Sequence, residues 1–294
     1  MQKQTVAIIG AGKVGSVLAR NFNKQGYELV GIASRTLLSA NKLAHQFGVL
    51  GVEKAADITQ YANIVLIATP DDCIGQVAEE VAQDGGFRAG QVVFHTSGGV
   101  SVEVLKPAEN LGAFTGSMHP LQSFAHGDSS LDTVAGIYFA LGGHAHAIGL
   151  GEKIVGDFGG QSFIIADKDR PLYHGAACIV SNYLVSLLHW ATQIYGDFGL
   201  TPQQASAALM PLMQGTVSNI QHLGPTQALT GPISRGDGNT ITAHLAALKN
   251  RHEHILYAEL GLYTVGVALE KGTINEQQAT VMKDLLSGGR ENLS

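Results

Sequence analysis

The chain has 294 residues, 45% of them hydrophobic, and a formal net charge of -6; by size that is enough for two domains of roughly 150 residues each. Charged residues make up 14% of the chain and no block of Lys or Arg is present to track a nucleic-acid backbone or an anionic membrane, so neither partner is expected and any phosphate must be held locally. The two cysteines, Cys73 and Cys178, fall on separate predicted helices and offer neither a disulfide framework nor a CxxC metal knuckle, which points to a reducing, cytoplasmic home.

A strand opening at Thr5 leaves no room for a secretory signal, so none is expected. From there short β-branched runs alternate with amphipathic segments, the pattern of a parallel sheet with crossover helices. Strands are predicted at Thr5 to Ile9, Glu28 to Ala33, Ile64 to Ala68, Val92 to His95, Ala113 to Met118 and Ile137 to Leu141, with Phe163 to Ala166 as a last candidate. Helices are predicted at Val14 to Lys24, Leu38 to Phe47, Ile74 to Gln83, Val102 to Lys106 and His146 to Phe158. Beyond Ala166 the segments Leu172 to Gly196, Gln203 to His222, Thr240 to Lys249, His254 to Lys271 and Glu276 to Leu286 carry helix-period apolar positions without strands between them. The long apolar stretch Leu172 to Trp190 is interrupted by His174, Asn182 and His189 and reads as a buried helix rather than a membrane span. The expected fold class is α/β: a doubly wound Rossmann sheet over residues 1–166, then an all-α domain over 167–294.

Gly10-Ala11-Gly12-Lys13-Val14-Gly15 lies between the first strand and the first helix, where a GxGxxG turn binds a dinucleotide. The first glycine permits the tight turn, the second admits the pyrophosphate and the third lets helix and sheet close, while the helix amino terminus offers free N–H donors. An acidic residue at the end of the second strand would accept from a ribose 2′-hydroxyl; Ser34 and Arg35 stand there instead, which favours the 2′-phosphate of NADP(H). Thr69 and Pro70 follow the third predicted strand and Ser97 and Gly98 follow the fourth, so these residues are expected to border the nicotinamide half of the cleft. Asp72 reads as a cap for the helix near Ile74.

His119, in Met118-His119-Pro120-Leu121-Gln122-Ser123-Phe124, is the first candidate acid or base, because an imidazole titrates near neutral pH; a histidine bonded to a loop carbonyl is the alternative. Tyr173, His174 and Asn182 lie on the first long helix of the second domain and share one face, as site residues or as satisfied core polars. Arg235, in the glycine-rich run Thr230 to Thr240, can meet an anionic substrate, or the loop is a turn capped by Asp237 or Asn239. The pairs His144/His146 and His252/His254 do not converge on a helix, and no metal is expected.

The motifs GAGKVG, HTSGG, MHPLQSF, LTGPISRGD and the Tyr173-His174 to Ser181-Asn182 helix together make the chain resemble Rossmann-like proteins with a carboxy-terminal domain of unknown function. These are relatives of pyrroline-5-carboxylate reductase, prephenate dehydrogenase and the 6-phosphogluconate dehydrogenase group. The resemblance implies a helical domain of the 6-phosphogluconate dehydrogenase carboxy-terminal type shared in a homodimer, with the active cleft between domains. It implies roles at the substrate for Ser97 and His119, which match a serine after a strand and the histidine of an HP motif in prephenate dehydrogenases. Asn182 is similar to the helical asparagine of hydroxyacid dehydrogenases, but the lysine they carry four residues earlier is here Cys178. The expected activity is hydride transfer between NADP(H) and a small anionic carbonyl, imine or alcohol, with His119 moving the proton, Ser97 and Asn182 orienting the substrate, Arg235 neutralising it and His174 as a further catalytic candidate. The competing expectation is a sensor or scaffold that binds NADP(H) without turnover.

Overall fold

The computed structural model describes residues 4–124 and 134–288. Eight strands, β1 (Thr5–Ile9), β2 (Glu28–Ala33), β3 (Leu50–Val52), β4 (Ile64–Ile67), β5 (Val92–His95), β6 (Phe114–Pro120), β7 (Tyr138–Gly143) and β8 (Gln161–Ile164), form one sheet in the order β3-β2-β1-β4-β5-β6-β7-β8. Every neighbouring pair is parallel except β6 and β7. β4 and β5, unbroken apolar runs but for His95, are buried along their length, as strands covered on both faces must be.

Side chains alternate across the pleat into two cores. Ile8, Leu66 and Phe94 pack with Leu18 and Phe22 of α1 (Lys13–Lys24) and Ile154 of α6 (Ala145–Asp157). Ile9, Ile67 and Val93 pack on the other face with Ile74 and Val81 of α4 (Ile74–Gln83). α2 (Leu37–Ala44), α3 (Ala56–Thr59) and the short α5 (Lys106–Glu109) complete the crossovers. The chain runs from β1 outward to β2 and β3, then returns to place β4 on the other side of β1, so the carboxyl ends of β1 and β4 flank the switch point where such sheets bind ligands.

The strand Leu50–Val52 and the single turn Ala56–Thr59 were not expected, since three residues carry no legible period. β6 runs on to Pro120, which puts His119 on the strand rather than in the loop after it. The helix expected over Leu172 to Gly196 is two helices, α7 (Arg170–Val180) and α8 (Asn182–Gly196), with Ser181 between them at φ -105, ψ -70.

The chain splits into two compact units, Met1–Ser186 and Leu187–Ser294, so α7 belongs with the sheet. In the second unit, α9 (Pro202–Ala228) opens with a capping box between Thr201 and Gln204 and is interrupted at Gly224 (φ 79, ψ 161). Ile241 of α10 (Gly238–Leu248), Val265 of α11 (His254–Lys271) and Leu286 of α12 (Glu276–Gly288) build its core. The expectation that Leu172 to Trp190 is a buried helix fails: α8 holds no buried residue, and Leu172, Ile179, Val180 and Val185 are largely exposed. Apolar content shows that a surface needs cover, not that the same chain supplies it. No described helix is long and apolar enough to cross a membrane.

Candidate active site

The turn after β1 is shaped by three glycines in three ways. Gly10 has φ +111 and donates to Ala33 O at 2.8 Å; a Cβ there would stand 2.5 Å from the Ala68 carbonyl oxygen. A Cβ on Gly15 would overlap the Gly10 carbonyl, whereas one on Gly12 would have no atom within 4 Å. Gly10 and Gly15 are thus required by packing, while Gly12 faces open space at the amino end of α1, where no side chain caps the helix. Bare N–H groups beside open space are what a pyrophosphate requires.

That space belongs to a cavity of about 700 Å³ lined by Gly10, Ala11, Gly12, Ser34, Arg35, Thr36, Thr69 and Pro70. Glu53 and Lys54 also stand on this wall and were missed from sequence because they follow the unrecognised β3. Glu53 Oε1 accepts from Leu37 N at 3.0 Å, and Lys54 pairs with Asp84 at 3.0 Å.

A second cavity, of about 370 Å³, begins where the first ends. Gly12, Ala68, Thr69 and Pro70 line both, and the second continues past Lys13, Val14, Asp71, Ser97 and Gly98 to His119 and His174. Thr69 Oγ1 is buried without a hydrogen-bond partner, an orphan that a ligand threading from one cavity to the other would satisfy.

Ser97 is fully engaged: its hydroxyl donates to Asp71 Oδ2 at 2.7 Å and accepts from Gly99 N at 3.2 Å and Val100 N at 3.1 Å. Its donor and both lone pairs hold the loop after β5. Asp71 is therefore a further site residue, visible in the sequence within Pro70-Asp71-Asp72. Asp72 does not cap α4: a 3-10 turn over Asp71–Cys73 leads into that helix, whose first turn has no side-chain cap, since a chain already helical offers no extended N-cap position.

His119 lies under Gly98, where a Cβ would come within 2.9 Å of the ring, and Tyr173 Oη is 2.7 Å from its Nδ1. Burial, reinforced by His174 and Arg170 and opposed by Asp71, pushes the His119 pKa down to about 4. The ring is therefore neutral at neutral pH, which corrects the expectation of a histidine titrating there. Burial likewise pushes Tyr173 up to about 12. When Tyr173 donates to Nδ1, the imidazole proton sits on Nε2.

α7 is fixed to the sheet by a guanidinium. Arg170 is fully buried, its Nε donates to Asp167 Oδ1 at 2.5 Å and its Nη2 to Ser117 Oγ on β6. Asp167 also accepts from Ser101 Oγ and Val102 N; against the upward push of burial these bonds hold its carboxyl below the usual range. One helical turn beyond Arg170 come Tyr173 and His174. None of Asp167, Arg170 and Ser117 stood out in the sequence, because nothing local marks an arginine that the fold will bury.

Asn182 is the first residue of α8, and its Nδ2 lies 3.9 Å from Cys178 Sγ, which lies 4.0 Å from His174 Nδ1. The three share a face despite the break at Ser181, but Asn182 does not line either cavity. Arg235 is in the second unit, exposed on the turn Ile233–Arg235, with Asp237 capping α10 through Thr240 N at 3.0 Å. His144 Nδ1 accepts from His146 N, capping α6, and both rings pack on Phe114.

Residues 1–120 match the model of a Rossmann-like domain, and residues 137–264 match that of a domain of unknown function, DUF2520. Among solved structures, a Bacteroides fragilis protein named as a candidate NADP oxidoreductase is 23% identical with TM-score 0.72, over 88% of this chain and 96% of that one. A 1-pyrroline-5-carboxylate reductase from Streptococcus pyogenes is 17% identical with TM-score 0.61, over 97% and 100%. A reductive aminase from Aspergillus terreus, in complex with NADPH and ethyl-5-oxohexanoate, is 13% identical with TM-score 0.57, over 98% and 93%. A glutamyl-tRNA reductase from Oceanobacillus iheyensis is 32% identical over 96 residues, 32% of this chain; the chain spans 21% of that protein's length. The chain thus joins a segment similar to a Rossmann-like domain to one similar to the DUF2520 domain.

Proposed function

We propose that the protein is an NADP-dependent oxidoreductase acting on a small carbonyl or imine, or on the corresponding alcohol or amine. The observation that carries this is the continuity of the two cavities through Gly12, Ala68, Thr69 and Pro70: a dinucleotide anchored near Arg35 and lying over the Gly12 turn ends beside His119. Bound there, NADP(H) supplies hydride chemistry at the nicotinamide. Arg35 and Ser34 would hold the 2′-phosphate, the N–H groups of α1 the pyrophosphate, and Thr69 the segment between the cavities.

The chain's own contribution is proton movement and charge. His119 donates from Nε2 and is resupplied at Nδ1 by Tyr173, while the Asp71–Ser97 pair fixes the loop over the ring. Among the described residues of the smaller cavity the charged side chains are Lys13 and Asp71, and Lys13 supports an anionic substrate. The reductase and aminase among the structural neighbours support a C=N or C=O centre, and the two free cysteines support a cytoplasmic setting. The exposed apolar side chains of α7 and α8 support a homodimer built on these helices.

NADPH consumption against cyclic imines, ketones paired with amines, and short 2-oxo acids tests the reading. Consumption with one class supports it. Tight NADPH binding with silence across all three replaces it with a non-catalytic sensor.

A further inference from the structure

Two residues of the larger cavity act in opposite senses on a dinucleotide. Arg35 brings a cation to the end of β2. Glu53 brings a carboxylate to the same wall, with Oε1 on Leu37 N at 3.0 Å, at the amino end of α2. Its position is built in: Ala33 pairs with Val52 and Ser34 N donates to Val52 O at 3.1 Å, which sets the residue after β3 opposite the residue after β2. β3 also lies hard against α2, since a Cβ on Gly51 would stand 2.8 Å from Asn41 N. The neighbouring cation does not neutralise Glu53, because Lys54 is paired with Asp84.

We propose that Glu53 is a specificity-determining residue of the dinucleotide site, its carboxylate on the Leu37 N–H standing against a ribose 2′-phosphate and narrowing the advantage that Arg35 gives NADP(H) over NAD(H). A carboxylate accepts from a free ribose 2′-hydroxyl and repels a phosphate at the same place. The helix amino terminus is itself an anion site, and Glu53 occupies part of it. NADP(H) binds by drawing Glu53 off Leu37, whereas NAD(H) leaves that bond in place. Discrimination is then set by the pair Arg35 and Glu53 together, not by Ser34-Arg35 as the sequence pattern alone implies.

This inference rests on the dinucleotide reading above, and its test separates the two. Dissociation constants for NADPH and for NADH are measured by titration on the wild-type protein, Glu53→Gln and Glu53→Ala, with thermal unfolding as the check on folding. Glu53 is exposed, and Gln keeps an acceptor for Leu37 N, so the fold is retained. Both variants are expected to raise the ratio of NADPH to NADH affinity by about tenfold, the loss of one like charge at short range. A ratio that is unchanged or lower in both variants overturns the role of Glu53 and leaves the dinucleotide site standing. A wild-type protein that binds neither nucleotide overturns both.

Discussion

The hydroxyl of Tyr173 on α7 meets Nδ1 of His119 on β6 at 2.7 Å, so a histidine that lines the smaller cavity is coupled to a phenol on the helix that Arg170 pins to the sheet. Neither partner is charged at neutral pH: burial holds His119 near 4 and Tyr173 near 12. Tyr173→Phe removes the resupply of protons but none of the dinucleotide wall. It is expected to lower kcat by roughly tenfold to a hundredfold with the NADPH Kd unchanged. Any change in kcat/KM that reports protonation of His119 should lie near pH 4 rather than near 6.5. A change at the ordinary histidine value would show that His119 is not the group in action.

Two buried histidines also make stability depend on pH. Burial, with Arg170 nearby, pushes His95 down to about 3 and acts likewise on His119. Unfolded, each binds a proton near 6.5; folded, neither does until the pH is far lower. Between pH 6.5 and 4 the unfolded chain therefore holds more protons, so stability is complete above 6.5 and falls as the pH drops through that window, by about 1.4 kcal/mol per pH unit for each ring. The depressed carboxylates, Asp157, Asp167 and Asp237, lose their contribution only as the pH falls below the usual carboxylate value. Urea midpoints at pH 7.5, 6, 5 and 4.5 should decline steadily below 6.5, and less steeply in His119→Asn. A flat series would contradict the neutral, buried rings.

The glycines of the first turn should separate folding from binding. Gly15→Ala meets the Gly10 carbonyl, and Gly10→Ala combines φ +111 with a 2.5 Å approach to Ala68 O; each is expected to lower Tm by several degrees or more. Gly12→Ala has open space around its Cβ and should keep Tm within about 2 °C while weakening NADPH at least tenfold. Unaltered NADPH affinity in Gly12→Ala would mean that nothing approaches that backbone.

Asp167 is the ion partner of a guanidinium with no exposure. Asp167→Ala leaves that charge buried without its carboxylate and is expected to destabilise the fold, whereas Arg170→Met, which removes the charge and keeps much of the volume, should cost less. Chemical denaturation of the two variants checks the order. The reverse order would show that packing around the Arg170 stem, rather than its charge, holds α7.

Much of the first unit was legible because its signals are local. The unbroken apolar runs of β4 and β5 declared a sheet covered on both faces, and Gly10, Gly12 and Gly15 each have a position that only spacing within one turn decides. Residues brought together over long separations were not legible. Tyr173 reaches His119 from 54 residues away, Arg170 reaches Ser117 from 53, and Glu53 owes its place to a three-residue strand with no period. His119 lines the smaller cavity as a neutral ring rather than one titrating near neutral pH, because burial is a property of the folded surroundings rather than of Met118-His119-Pro120. The exposed face of α8 shows the same limit for apolar residues, whose need for cover was visible but whose source of cover was not.

The most direct test of the account is NADPH consumption by His119→Ala beside the wild-type protein, on whichever imine or carbonyl the wild type consumes, with the NADPH Kd of both measured in parallel. The account predicts turnover lowered at least roughly a hundredfold at unchanged Kd. Equal turnover in the two proteins would contradict it.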